Sequence, residues 1–249
     1  METDIDVKIT RGRNLLWLIH LGGILILAAC FAYGSTIYDS LPETIPTHWG
    51  ASSTPDEWAD KSFGSVFAPL LVGAGISVFL ALIAAAAPFM IPPNQNATPW
   101  ELWRREGTIR GLVAGMGGMS VLLAALMGVM SVSAWRNPDG FPSASVLILI
   151  VLILVGVIAA SALSSRWARR TALRNGITPT VPEQEEDKLW IAGGIYNNAK
   201  DPRVIVPKRA GFGTGVTVNV GNSKGRAAVV IFLAVFVGIP LVLLGVSAL

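Results

Sequence analysis

Five stretches of the chain, about residues 15–37, 66–91, 112–134, 144–163 and 227–249, are apolar, and none carries Asp, Glu, Lys or Arg in its middle. Each is near the ~20 residues that carry a helix across a bilayer. A backbone in hydrocarbon must satisfy its own N–H and C=O groups, which a helix does within one segment. Hydrophobic residues make up 52% of the chain and charged residues 14%, well below the roughly 25% charged of soluble domains. The expected fold class is an all-α polytopic membrane protein of five transmembrane helices. A small β-rich insertion is expected between helices four and five. Pro92-Pro93 closes the second block, since the helix ends where N–H groups are lost and the preceding residue is pushed to extended backbone.

The basic residues set the expected orientation. Of 19 lysines and arginines, all but Lys61 and Arg136 fall in three places. These are the N-terminal arm (Lys8, Arg11, Arg13), the connection into helix three (Arg104, Arg105, Arg110) and the segment between helices four and five. The positive-inside rule then puts the N-terminus in the cytoplasm and residues 38–63 and the C-terminus outside. A basic arm before an apolar block also suits a signal peptide, and Leu27-Ala28-Ala29-Cys30 is similar to a lipoprotein cleavage box. The chain after Cys30 stays apolar, so the block reads as a retained helix. One cysteine excludes an internal disulfide and a Cys-rich zinc site.

Residues 38–63 form a polar island carrying Asp39, Glu43, Asp56, Glu57 and Asp60 against Lys61 alone. Pro42 and Pro46 bias Leu41 and Ile45 towards extended backbone, Gly50 permits a turn, and Trp49, Trp58 and Phe63 suit a membrane interface. Stiff prolines and aromatics read as a recognition surface formed by Pro42, Pro46, His48, Trp49, Asp56, Trp58 and Lys61. The acidic charge attracts a cationic peptide, and plain solvation accounts for it equally. His48 with the nearby acids has the donor types for a divalent metal but no ligand spacing. It also titrates near environmental pH.

The inner segment opens on Arg166, Arg169, Arg170 and Arg174, which recur at helical spacing and suit lipid headgroups. Residues 176–187 read as an exposed acidic linker. Residues 188–222 hold short β-rich runs between Asn-Asn, Asp-Pro and Gly-rich turns. At 35 residues this module lies below the ~40 at which a domain folds unaided, so it is expected to pack on the helices or on a partner.

Several chemistries lack a signature. The sequence has no His-Glu-x-x-His, no Gly-x-Ser-x-Gly and no phosphate loop. No intramembrane charge marks a coupling pathway. His20 and His48 are expected on opposite sides of the membrane and cannot share a metal or haem. No catalytic residue, resident metal, cofactor or nucleic-acid partner is expected. Gly111-x-x-x-Gly115 and Gly73 permit close helix approach. A permeation path along glycine-rich helices two and three is the transport alternative.

Leu41-Pro-Glu-Thr-Ile-Pro-Thr-His-Trp-Gly50, with Pro55-Asp-Glu-Trp58 and Lys61, resembles an uncharacterised bacterial membrane family with the motif L-P-x-x-I-P-x-H after its first helix. Ser53 and Thr54 stand where that family typically has a glycine. The same domain occurs in SdpI-type immunity proteins, which protect a bacterium from its own secreted peptide toxin. A second uncharacterised module is similar to the pieces that hold Trp190, Gly194, Tyr196, Asn198, Asp201, Arg203, Lys208, Arg209 and Asn219. The resemblance implies immunity or signal sensing in the bacterial cytoplasmic membrane. The outer loop would meet a peptide or envelope signal, and the inner module a protein partner. An outer-face enzyme using His48 and its acids is the third alternative.

Overall fold

The structure, a computed structural model, describes residues 9–50, 54–140, 143–191, 194–209, 211–212, 215–239 and 242. Its long helices are α1 (Trp17–Ile37), α2 (Phe63–Met90), α3 (Pro99–Arg136) and α4 (Ser143–Arg174). Strands β1 (Thr44–Trp49) and β2 (Pro55–Asp60) lie between α1 and α2. After α4 come α5 (Val181–Lys188), β3 (Trp190–Ile191), β4 (Ile195–Tyr196), β5 (Ile205–Pro207), β6 (Val216–Val218) and α6 (Ser223–Leu233). Each long helix has the length and composition to cross a membrane, making four spans among the described residues. Leu18, Leu25, Phe79, Leu82, Ile148 and Ile158 stand exposed on α1, α2 and α4, a surface suited to hydrocarbon rather than water.

Three boundaries differ from the sequence reading. Helix α3 starts at Pro99, not near residue 112. Thr98 and Glu101 close a reciprocal capping box, each backbone N–H donating to the other's side chain, and Pro99 takes the first helical position. Residues 176–187 are not an exposed linker throughout. They include α5, where the Glu183 carboxylate accepts from the Thr180 N–H at 2.7 Å and is itself buried. The stretch expected to form a fifth span holds α6, whose Asn222 side chain accepts from the Gly225 N–H, and π-helical turns over Ala234–Gly238. Residues 240–241 and 243–249 of that span lie outside the described residues.

The chain packs as two compact units. One comprises residues 18–82, 116–156 and 236–249. Its core joins Leu27, Leu41, Ile45, Val66, Phe67 and Trp135, and Phe67 gathers the rings of Phe31, Phe63 and Trp135 at 4.7–5.8 Å. The Trp135 indole N–H donates to the Val66 carbonyl at 3.2 Å. A Cβ at Gly34 would meet the Trp135 ring at 2.5 Å, so α1 lies close against α3 here.

The other unit comprises residues 1–17, 83–115 and 157–235. Gly107, Gly111 and Gly115 recur every fourth residue of α3 and face Ala168, Ser164 and Ala160 of α4. Small residues on both sides bring the backbones together, which replaces the missing hydrophobic drive between helices in lipid. Gly111 and Gly115 thus serve packing, whereas Gly118 has open space beside it. Glu106 of α3 is 1% exposed. It accepts from Arg13 at 2.6 and 3.0 Å and from Arg110 at 2.9 Å. Arg110 also donates to the Ile9 and Arg11 carbonyls and lies 3.8 Å over the Trp167 ring. The charged first turns of α3 therefore fasten the N-terminal arm.

A Cβ at Gly107 would stand 2.6 Å from the Ala168 Cβ and 3.0 Å from the Ser164 carbonyl. Gly107→Val should cost about 1–3 kcal/mol through overpacking, read as a lower unfolding temperature of the detergent-solubilised protein. Gly118→Ala should leave that temperature unchanged or raised.

Candidate functional site

The polar island folds as an antiparallel hairpin of β1 and β2, with Thr44 opposite Asp60 and Trp49 opposite Pro55. Sequence reading expected stiff extended entry but not a strand pair. Two prolines in β1 and β2 argue against a central strand. A two-stranded hairpin has only edges, however, and Pro55 occupies the first position of β2. The register shifts between Pro46 and His48 and again between His48 and Trp49. These bulges leave Thr47 and Asp56 outside the pairs and re-aim their neighbours. His48 Nδ1 and Asp56 Oδ1 meet at 2.5 Å on the exposed face.

The seven residues expected to recognise a ligand divide into two sets. Pro46 is buried, and Trp49 packs on the Phe67 core. Lys61, with its side chain only 15% exposed, donates to the Leu41 carbonyl at 3.0 Å and lies 3.4 Å from Glu43. These three brace the hairpin. Pro42, His48, Asp56 and Trp58 are exposed, as are Glu43, Glu57 and Asp60. The outward surface is therefore an indole and an imidazole among carboxylates. The hydrogen bond and charge of Asp56 hold the His48 pKa above its ordinary 6.5. No three His, Cys, Asp or Glu side chains converge as a metal-ligand set among the described residues.

In the other unit, the module residues also divide. Asn219 is fully buried. Its side-chain oxygen accepts from the Asn198 and Gly221 N–H groups, and its amide donates to the carbonyls of Asn198, Asp201 and Arg203. Asn198 donates to the Tyr196 hydroxyl, which contacts Asp201. Hydrogen bonds from Arg203 pull the Asp201 pKa down to about 2. These side chains form a clasp that joins three turns and substitutes for the large core a 35-residue module lacks. Gly194 supplies a carbonyl that accepts from Thr217, and Lys208 is exposed.

Trp190 and Arg209 belong to a different group. The Asp187 carboxylate at the end of α5 accepts from Arg209 at 2.6 Å, Arg104 at 2.8 Å and the Trp100 indole at 3.1 Å. Burial alone would raise the Asp187 pKa, but the Arg209 and Arg104 hydrogen bonds overrule it and hold the group below the usual carboxylate range. The Arg209 guanidinium lies 5.3 Å over Trp190 and 4.4 Å over Phe212. Sequence reading missed Trp100, Arg104, Glu106 and Asp187 as partners. The helical spacings of Glu106 with Arg110 and of Glu101 with Arg104 are the local signals the sequence carries for these contacts. Arg166, Arg169, Arg170 and Arg174 are exposed on α4, and none forms an ion pair among the described residues.

The model of a family described as a domain of unknown function (DUF1648) matches residues 25–73, from the middle of α1 through the hairpin into α2. No curated protein and no solved structure matches the chain.

Side-chain NMR should give His48 a pKa above 6.5, returning towards that value in Asp56→Asn. The raised pKa means the pair's contribution is complete below about 6.5 and disappears as pH rises through the folded value. In the module, Asn219→Ala leaves the Asn198 and Gly221 amides without their acceptor, at about 1–3 kcal/mol each. Hydrogen exchange of those two amides should accelerate while α3 amides keep their protection.

Proposed function

We propose that the chain is a bacterial inner-membrane immunity or sensing protein whose hairpin recognises a cationic, amphipathic peptide. The observation that supports this reading most is the division of the hairpin. Trp49 packs on the helix core, Pro46 is buried and Lys61 ties to the Leu41 carbonyl, which leaves His48, Asp56 and Trp58 displayed among acids on a braced support. A rigid indole in an acidic field suits a ligand with apolar and basic faces, with charge steering the encounter and the aromatic anchoring it. The resemblance of the L-P-x-x-I-P-x-H stretch to SdpI-type proteins points the same way. On this reading the N-terminus is cytoplasmic, the fifth span is completed by residues 227–249, and the C-terminus is outside. The 188–222 module then faces a cytoplasmic partner, and the α4 arginines face anionic headgroups. The packing of Gly107, Gly111 and Gly115 against α4 favours sensing over a glycine-lined transport path.

Deletion of the gene should sensitise the host to a cationic amphipathic toxin peptide, and the wild-type gene should restore resistance. Trp58→Ala and Asp56→Asn should restore it incompletely at equal membrane abundance, with peptide binding by the purified protein about tenfold weaker for the anchor, a loss of ~1.4 kcal/mol. Resistance that is identical with and without the gene would end the immunity reading.

A further inference from the structure

A cleft of about 110 Å³ opens beside the Asp187 link, with Trp100, Arg104, Arg169, Trp190, Arg209 and Phe212 among its walls. It lies wholly within the unit formed by residues 1–17, 83–115 and 157–235. Drug-sized ligands need roughly 300–1,000 Å³, so this cleft takes something smaller. At ~30 Å³ per water, it has room for one tetrahedral oxyanion.

Three features make the cleft a built site. The Arg104 and Arg209 side chains are 9% and 7% exposed, and both are held by the same carboxylate, Asp187. The Nε–H of each buried guanidinium has no hydrogen-bond partner among the described residues. A buried donor left unsatisfied costs roughly 1–3 kcal/mol, more when it is charged. Arg169 stands exposed at the rim with no ion pair among the described residues. Glu101 and Glu186 approach Arg104 at 3.7 and 3.6 Å, beyond hydrogen-bonding reach, and neither lines the cleft. Stacking on Trp190 and Phe212 fixes the plane of Arg209, which preorganises a fork suited to phosphate.

We propose that this cleft binds a phosphate group. Asp187 already occupies one Nη1 donor of each arginine. A second anion with several oxygens would take guanidinium donors that Asp187 leaves unused and draw Arg169 inward. A tetrahedral phosphate presents oxygens in more than one plane and can meet two separate guanidinium groups, where a planar carboxylate suits one. The phosphate is carried by an anionic lipid headgroup or by a small soluble phosphate compound; both present the same chemistry.

The test uses the full-length protein in nanodiscs of phosphatidylcholine, with or without phosphatidylglycerol, and inorganic phosphate as the soluble probe. Arg169→Gln removes the exposed rim cation. Arg174→Gln is a charge-matched control on the same helix, outside the cleft. In phosphatidylcholine discs, phosphate should bind saturably at one site, about tenfold more weakly in Arg169→Gln because a charged hydrogen bond is lost. The control should bind as wild type does. Phosphatidylglycerol that displaces phosphate, or raises the melting temperature only when Arg169 is present, identifies a lipid headgroup as the occupant. Phosphate binding that is indifferent to phosphatidylglycerol identifies a soluble source. The proposal is overturned if neither probe shows a saturable effect, or if Arg174→Gln reduces binding as much as Arg169→Gln.

Discussion

In hydrocarbon a backbone has no water to bond, so each apolar segment must close its own hydrogen bonds as a helix. Helices α1 to α4 meet that condition, and α1, α2 and α4 show large apolar side chains outward. Because lipid tails are as apolar as leucine, burial against a neighbour supplies little drive. Contact between helices then depends on shape. Gly107, Gly111 and Gly115 meeting Ala168, Ser164 and Ala160 are the local form of that rule, as is Gly34 beneath Trp135.

The same constraint moves polar interactions to the helix ends and the connections, where they do the organising. The charged first turns of α3 are the clearest case. Glu106 and Arg110 secure the N-terminal arm, while Trp100 and Arg104 hold α5 through Asp187. Glu106 is tolerated in a nearly water-free position because two arginines satisfy it; without them it would be an uncompensated buried charge. In the hairpin, Lys61 plays the corresponding part with the Leu41 carbonyl. Residues that a motif presents as one run thus divide between brace and display.

Residue types with a local physical meaning were legible before the fold was seen. Apolar length marked the four spans, and Pro92-Pro93 marked the end of α2. The Asn-Asn and Gly-rich turns marked β-rich pieces in residues 188–222. The start of α3 was misplaced because Glu101 to Arg110 looks like a polar loop when counted by hydropathy. Its capping box and its ion pairs make it helix. Residues 176–187 misled in the same way: Thr180 and Glu183 are a capping pair, but acidity and proline suggested exposure.

The sequence by itself determined where this chain is helix in lipid, where it is polar and where it turns, because those depend on each residue's own transfer cost and backbone preference. The tertiary structure alone decided which polar residues face each other. Pairing across 93 residues, as between Arg13 and Glu106, leaves no local trace. Neither does the sharing of Asp187 by Arg104 and Arg209, nor the double bulge that brings His48 to Asp56. These contacts depend on how separate segments pack, and so the division of the hairpin into brace and display, like the cleft, exists only in the folded chain.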